Sequence, residues 1–186
     1  MRIIVGVTGA SGVRVGVRVV QWLLARPEHE THVILTKAAR RIAQIEDGGV
    51  PDLGARVYEE DDFEAPLASG SFMAGAMIVA PCSMRTLAAL AHGFQESLIA
   101  RAGDIMLKMR RPLVVAPRET PLSLPVVENM AALLRAGAII APPMLAFYHQ
   151  PRSVADMVDF AAGKILDALG LDNDLYARWG ASKETQ

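Results

Sequence analysis

Short apolar runs alternate with amphipathic stretches along this chain, and most of the runs end in a glycine, serine, threonine or proline. A short run that is apolar on both faces suits a strand buried beneath helices on either side. Helix-period stretches between such runs suit the crossovers of parallel strands. This alternation constrains the fold more than any other feature. It predicts an α/β architecture of three layers, with a mostly parallel central sheet flanked by helices. Hydrophobic residues make up 52% of the sequence and aromatic ones only 5%, so the core is to be built from Ala, Val, Leu, Ile and Met.

Strands are expected at Arg2–Thr8, Thr31–Thr36, Ala76–Ala80 (stopped by Pro81), Pro112–Ala116 and Ala138–Ala141. Helices are expected over Val13–Ala25, Lys37–Ile45, from a Ser83 cap to Leu90, over Leu124–Arg135 before Gly137, and over Val154–Leu169. Asp47 to Leu67 reads as a surface loop with at most one short strand near Arg56–Tyr58. Gly170 to Gln186 reads as a tail.

The 186 residues fit one domain, 1–186, with the tail from about 171. A formal net charge of −1 gives no global field to attract nucleic acid or an anionic membrane, so any anionic ligand is held by local groups. Cys82 is the only cysteine, which excludes a disulfide framework and fits a reducing compartment. No apolar stretch approaches the roughly 18 residues of a membrane span. Arg14 and Arg18 break what would be a leader segment, and the chain reads as cytoplasmic.

In an open α/β sheet a ligand lies beyond the carboxyl ends of the strands, and here those ends supply Ser11, Thr36, Ser83 and Arg118. Thr8-Gly9-Ala10-Ser11-Gly12 joins a strand to a helix without Rossmann or Walker spacing, and reads either as a phosphate loop or as a tight turn. Pro81-Cys82-Ser83-Met84-Arg85-Thr86 places two hydroxyls in the first turn of a helix. A cap explains Ser83 and leaves Thr86 unused. Cys82 has no histidine beside it and reads as a small buried residue. Arg118-Glu119 follows a buried run, where charge is expected to face a ligand, while Arg110 and Arg111 read as a solvated turn. Glu59-Glu60-Asp61-Asp62 reads as a solvated acidic loop, not as a metal site. His29 and His32 are expected to be exposed, and His149 and Tyr148 to lie near the ligand.

Seven motifs in order carry a resemblance. They are Thr-Gly-Ala-Ser-Gly, Thr-Lys-Ala-Ala, Ala-Ser-Gly-Ser, Pro-Cys-Ser-x-x-Thr, Leu-Lys-x-Arg-Arg-Pro-Leu-Val, Pro-Arg-Glu-Thr-Pro and Phe-Tyr-His-Gln-Pro. From Met1 to about Trp179 the chain resembles the UbiX-type flavin prenyltransferases. The resemblance implies a Rossmann-like (flavodoxin-like) flavin-binding domain. It also implies that reduced FMN is alkylated by dimethylallyl monophosphate to give prenylated FMN, without a metal, for use by a UbiD-type decarboxylase. A homo-oligomer, commonly a dodecamer with sites near subunit boundaries, is implied as well, and the many methionines agree.

The implied FMN residues are Gly9, Ala10, Ser11, Thr36, Ser83, Met84, Arg85, Thr86 and Arg118. The implied prenyl phosphate residues are Arg101, Lys108, Glu119, Tyr148 and Lys164, with Glu119, Glu46, Ser11 and Lys108 as the catalytic set. Lys164 stands where many members carry Arg, which offers the phosphate a point charge in place of a fork. Two other readings remain open. One is an FMN-dependent decarboxylase of the cysteine-decarboxylase superfamily, against which Pro142-Pro143-Met144-Leu145 lacks the expected asparagine. The other is a non-catalytic FMN-binding accessory subunit, which would not need Glu46, Lys108, Glu119 and Tyr148 together.

Overall fold

A computed structural model describes residues 1–180. Its six strands are β1 (Arg2–Val7), β2 (Glu30–Leu35), β3 (Arg56–Glu59), β4 (Ala76–Cys82), β5 (Leu113–Pro117) and β6 (Ile139–Ile140). They form one sheet in the order β3-β2-β1-β4-β5-β6, and every neighbouring pair is parallel. The helices are α1 (Val13–Leu24), α2 (Lys37–Asp47), α3 (Met84–His92), α4 (Leu98–Lys108), α5 (Leu124–Arg135) and α6 (Val154–Ala168). This is the three-layer Rossmann-like arrangement that the alternation predicts.

The pleat of β1 shows how one sheet feeds two cores. Ile3, Val5 and Val7 face Trp22, Leu23, Ile165 and Leu166 of α1 and α6, while Ile4 faces Leu98, Ile99 and Met106 of α4. Both faces of the strand are buried, so its sequence shows no polar alternation.

Four expectations need correction. Pro81 does not stop β4: the strand runs on to Cys82 through a register shift after Val79. Proline has no N–H to give to a ladder, and an irregular position tolerates it. The alternation assigns no element to 98–108, yet this is α4. Arg101, Asp104 and Lys108 recur at helical spacing along its outer face, so the cationic stretch is one side of a helix whose other side is core. The last strand shrinks to two residues. His32 is fully buried, not exposed, because β3 pairs alongside β2 and covers it. Its ring nitrogens reach the Tyr58 hydroxyl at 3.1 Å and Glu30 Oε1 at 2.9 Å. His29 is half-buried.

The acidic run Glu59–Asp62 is tied to α2: Arg40 pairs with Glu59, Lys37 Nζ pairs with Asp61, and the Lys37 amide donates to Glu60 Oε1. Residues 171–179 of the tail fold back onto α6 through Asn173 and Arg178, and the remainder of the expected tail, 181–186, lies outside the described residues.

Gly16 sets how closely α1 sits on the sheet. A Cβ there would lie 2.0 Å from the carbonyl oxygen of Ala80, a backbone atom that cannot step aside. Helix propensity alone favours Gly16→Ala by about 1 kcal/mol, whereas overpacking typically costs about 1–3 kcal/mol. The expected result is a lower thermal midpoint for Gly16→Ala than for wild type. A raised midpoint would show that α1 has room to move outward.

Candidate functional site

The strand order reverses direction between β1 and β4, and the crevice beyond their carboxyl ends is where such sheets bind ligands. One buried side chain holds that crevice together. The Thr8 hydroxyl donates to the Pro81 carbonyl at 2.7 Å and accepts from the Ser83 amide at 2.8 Å, while the Thr8 amide also donates to Pro81 O at 3.3 Å. The two ligand-facing loops are thereby joined by bonds within the chain.

A groove of about 800 Å³ opens beside this joint, reached by Thr8, Gly9, Thr36, Ser83, Thr86 and Ser97. The N-termini of α2, α3 and α4 converge on it, since Thr36, Ser83 and Ser97 are the respective caps. Each N-terminus contributes about half a positive charge. At α2 the Lys37 amide is already taken by Glu60, which lines the groove with Asp61 and Glu96, so the ends of α3 and α4 are the freer sites for a phosphate-sized anion. Thr86 is not idle: its hydroxyl lies 3.1 Å from that of Ser83, so one ligand oxygen can meet both. Gly9 is required by packing, because a Cβ would stand 2.4 Å from that of Ala38 at the start of α2. Lys37 is committed to Asp61, while Arg85 is exposed and stands 3.8 Å from Glu96, so Arg85 and the helix ends are the free positive groups. Met84 is half-buried against the core below α3.

A smaller pocket of about 210 Å³ lies on the α1 and α6 side, with Ser11, Arg14 and Arg118 at its polar rim and Pro143, Leu145 and Ile165 among its apolar walls. Glu46, from the end of α2, closes the rim. Its Oε2 accepts from the Gly12 amide at 2.9 Å, and the Ser11 hydroxyl bonds the same carboxylate. Burial raises the proton affinity of Glu46. The Ser11 and Gly12 hydrogen bonds, with Arg14 and Arg118 nearby, outweigh it and hold the carboxyl below its ordinary range. Glu46 is therefore ionised at neutral pH, and the same contacts make it a weaker proton acceptor than a free glutamate. Arg118 follows β5, its amide donating to Cys82 O at 3.1 Å, and its buried Nε has no partner among the described residues. An unpartnered buried guanidinium nitrogen is costly, and a ligand acceptor would satisfy it.

Sequence reasoning passed over Arg14. Its guanidinium pairs with Asp47 and reaches the Glu46 carbonyl at 3.3 Å, which fixes the end of α2 against the start of α1. The signal was present: Arg14 and Arg18, four residues apart, put two cations on one face of a helix that is otherwise valine-rich.

The expected phosphate residues do not all meet. Tyr148 packs edge-on against Phe160 at 5.6 Å and Trp179 at 5.3 Å, and His149 stacks on Phe160 at 4.4 Å. Lys164 lines a pocket of about 520 Å³ that shares Pro143, Leu145, Ala161 and Ile165 with the smaller one. Phe160 lines the same pocket as Lys164, so Tyr148 is joined to that pocket through its packing on Phe160. Glu119 is exposed next to Arg118, its carboxylate bonding the Thr120 amide at 3.0 Å. Arg101 turns to Ala68 O at 2.9 Å and to Gln95 at 2.8 Å. Lys108 pairs with Asp104 at 3.4 Å at the last turn of α4, beside the amino ends of β4 and β5. An eleven-residue helix is about 16 Å long, so within one chain Lys108 stands at the far end of the sheet from Ser11. Cys82 is buried and its thiol is pushed well up by desolvation, which makes it unreactive packing.

A family model described as Flavoprotein matches residues 1–166. The chain is 45% identical to a flavin prenyltransferase UbiX of Methanocaldococcus jannaschii over 184 residues, which cover 97% of this chain and 99% of that one. Among solved structures it is similar to AnUbiX (PadA1) in complex with FMN and dimethylallyl pyrophosphate. That match has a TM-score of 0.90, 44% identity, and coverage of 96% of this chain and 97% of the other. It is equally similar to a dodecameric FMN-dependent UbiX-like decarboxylase from Escherichia coli O157:H7, with a TM-score of 0.91, 42% identity, and coverage of 96% and 99%.

The depressed pKa of Glu46 has a sign that can be measured. Its stabilising contribution is fully present above the ordinary value of 4.5 and is lost as pH falls through the lower native value. Glu46→Gln should therefore be less stable than wild type at neutral pH, with the gap closing in acid. Urea unfolding of both proteins at a series of pH values checks this, and a gap that is constant with pH counts against the network.

Proposed function

We propose a function that rests on kinship: the chain belongs to the UbiX-type flavin prenyltransferases. It is a flavoprotein enzyme that joins the dimethylallyl group of dimethylallyl monophosphate to reduced FMN, giving prenylated FMN. The observation that best supports this at residue level is the joining of an anion-ready crevice to an ionised Glu46 and an unpartnered Arg118.

The residues fit FMN. Gly9, Ala10, Ser11, Thr36, Ser83 and Thr86 would hold its phosphate and ribityl side at the convergent helix ends, with Met84 and Arg85 flanking. Arg118 Nε would donate to a polar edge of the ring. When bound in reduced form, FMN supplies the electron-rich ring that is alkylated.

Departure of the donor phosphate puts negative charge on its oxygens, and preorganised cations stabilise that charge best where water is excluded. Lys164 and Tyr148 stand ready for this beside the small pocket, whose apolar walls suit a five-carbon group. Ser11, Glu46 and Glu119 would handle protons, with Glu46 as the ionised acceptor and Glu119 nearest to Arg118.

Lys108 enters from another copy in this reading, since it lies at the opposite end of the sheet in its own chain, whereas Arg101 stands in the first turn of α4, whose start borders the crevice. A homo-oligomer, here a dodecamer, brings the last turn of α4 of one copy to the crevice of the next. Exposed Met73, Met109 and Met144, with Leu122, Leu124 and Phe147, supply apolar surface for such contacts. The chain would act as one flavin-binding domain in the cytoplasm, with a UbiD-type decarboxylase consuming the product. No helix among the described residues is long and apolar enough to cross a membrane.

Anaerobic addition of reduced FMN and dimethylallyl monophosphate, followed by mass analysis of the released flavin, tests the reaction. Glu119→Gln and Lys108→Ala should each keep FMN yet slow single-turnover prenylation by about 100- to 1,000-fold, as expected for loss of one preorganised charge. Near wild-type rates in both would return these residues to the solvated surface, where losses stay within a few-fold.

A further inference from the structure

The densest polar network outside the crevice converges on one carboxylate, Asp167, in the last turn of α6. Its Oδ1 accepts from Asn173 Nδ2 at 2.8 Å. Its Oδ2 accepts from the Tyr176 hydroxyl and from Arg178 Nη1 at 2.7 Å, and stands 3.8 Å from Lys164 Nζ. Burial, the hydrogen bond and the charge of Asp167 push the Tyr176 phenol up to about 12, so Tyr176 remains a donor.

The partners are not equivalent. Arg178 is saturated: Nη1 also reaches the Tyr176 oxygen at 3.1 Å, and Nη2 reaches Asp172 at 3.2 Å and Asn173 O at 3.0 Å. Lys164 is different. At 3.8 Å it is beyond hydrogen-bond distance, it is half exposed, and it faces the pocket that shares walls with the small apolar one. The carboxylate has thus been neutralised by a committed arginine, and the lysine is held near it loosely. A carboxylate beside a phosphate site would repel the ligand unless such an arginine cancelled it.

The same network docks the tail. Asn173 and Tyr176 lie where a side chain at Gly163 would otherwise stand, with Tyr176 Cδ1 at 2.6 Å and Asn173 Oδ1 at 2.8 Å from a Cβ placed there. Arg178 immediately precedes Trp179, whose ring packs on Tyr148. Removing the Asp167 charge therefore releases both the lysine and the segment that packs on Tyr148.

We propose that Asp167 is a positioning residue for the donor phosphate: it anchors residues 171–179 to α6 and holds Lys164 at the pocket floor, from which the ammonium turns to the incoming phosphate. This rests on the reading of Lys164 and Tyr148 as phosphate residues. Asp167 lines the same pocket as Lys164, and its role is exerted through Lys164 and through the tail.

The test uses the full chain loaded with oxidised FMN, so that no transfer occurs, and measures binding of dimethylallyl monophosphate by calorimetry. Asp167→Asn should bind the monophosphate about tenfold more weakly, the loss of roughly one charge-assisted interaction, with FMN retained. Asp167→Glu, which restores the charge, should recover most of that loss, a rescue that a purely space-filling role does not give. Tyr176→Phe keeps the charge, removes one hydrogen bond and fills the same space, and should weaken binding less than Asp167→Asn. It also reports on the network should Asp167→Asn fail to fold. Tryptic cleavage after Arg178, followed by mass, reads the tail directly and should be faster in Asp167→Asn. Wild-type monophosphate affinity in Asp167→Asn overturns the proposal, as does equal weakening in the Glu and Asn variants. If wild type binds both ligands but forms no product once the FMN is reduced, the proposed reaction falls while the role of Asp167 in binding stands.

Discussion

The Thr8 hydroxyl between β1 and β4 is the interaction on which the rest of the site depends. It is buried at the point where the strand order reverses, and it uses both its donor and its acceptor capacity on the backbone of the neighbouring loop. Without it the Ser83 amide would lack a partner, at a cost of about 1–3 kcal/mol, and the Pro81 carbonyl would keep only the longer bond from the Thr8 amide at 3.3 Å. With it, the start of α3 is fixed relative to the glycine loop before α1. Gly16 completes the constraint by letting α1 lie against Ala80. The crevice is consequently shaped by bonds within the chain, and each such bond lowers what a ligand spends on organising it.

Its electrostatics follow the same logic. The groove carries few side-chain cations aimed into it, because Lys37 is paired with Asp61 and Arg85 is largely solvated. Backbone amides at the helix ends supply the positive character, and these cannot be deprotonated or swing away. Side-chain charge is reserved for the rim, where Glu46, Arg14 and Arg118 face one another around Ser11. A carboxylate held ionised against an arginine with an unused nitrogen suits proton handling next to a polar ring, while the amides suit a permanent phosphate.

Much of this was readable from residues alone. Strand ends carrying Ser11, Thr36, Ser83 and Arg118 had to converge once the sheet was parallel, because every crossover returns the chain to the same edge. The position of His32 was not readable. Its neighbours Thr31 and Val33 fix the alternation of β2, but whether that strand is covered depends on β3, a four-residue strand within a loop rich in Gly, Pro and acid. The Asp167 network was half readable, since Lys164 and Asp167 are spaced for one helix face, whereas Arg178 reaches them only because the tail reverses direction. Arg101 and Lys108 were misleading for another reason. Charges at helical spacing along α4 look the same whether they face solvent or another copy.

The two halves of the site therefore differ in what holds them. The half suited to flavin is assembled from backbone and caps within one chain, so it tolerates surface change as long as Thr8, Gly9 and Gly16 remain. The half suited to the prenyl phosphate is assembled from long side chains, a docked tail and, in the oligomeric reading, groups from a second copy. Long side chains lose more conformational freedom when they are ordered, about 1.5–2 kcal/mol for a lysine or arginine, and an assembly that waits for the donor incurs that cost only when the donor arrives. Such a division favours FMN bound first and the donor second. Tyr148, between the packed Phe160 and the exposed Trp179, sits where the rigid half meets the adjustable one.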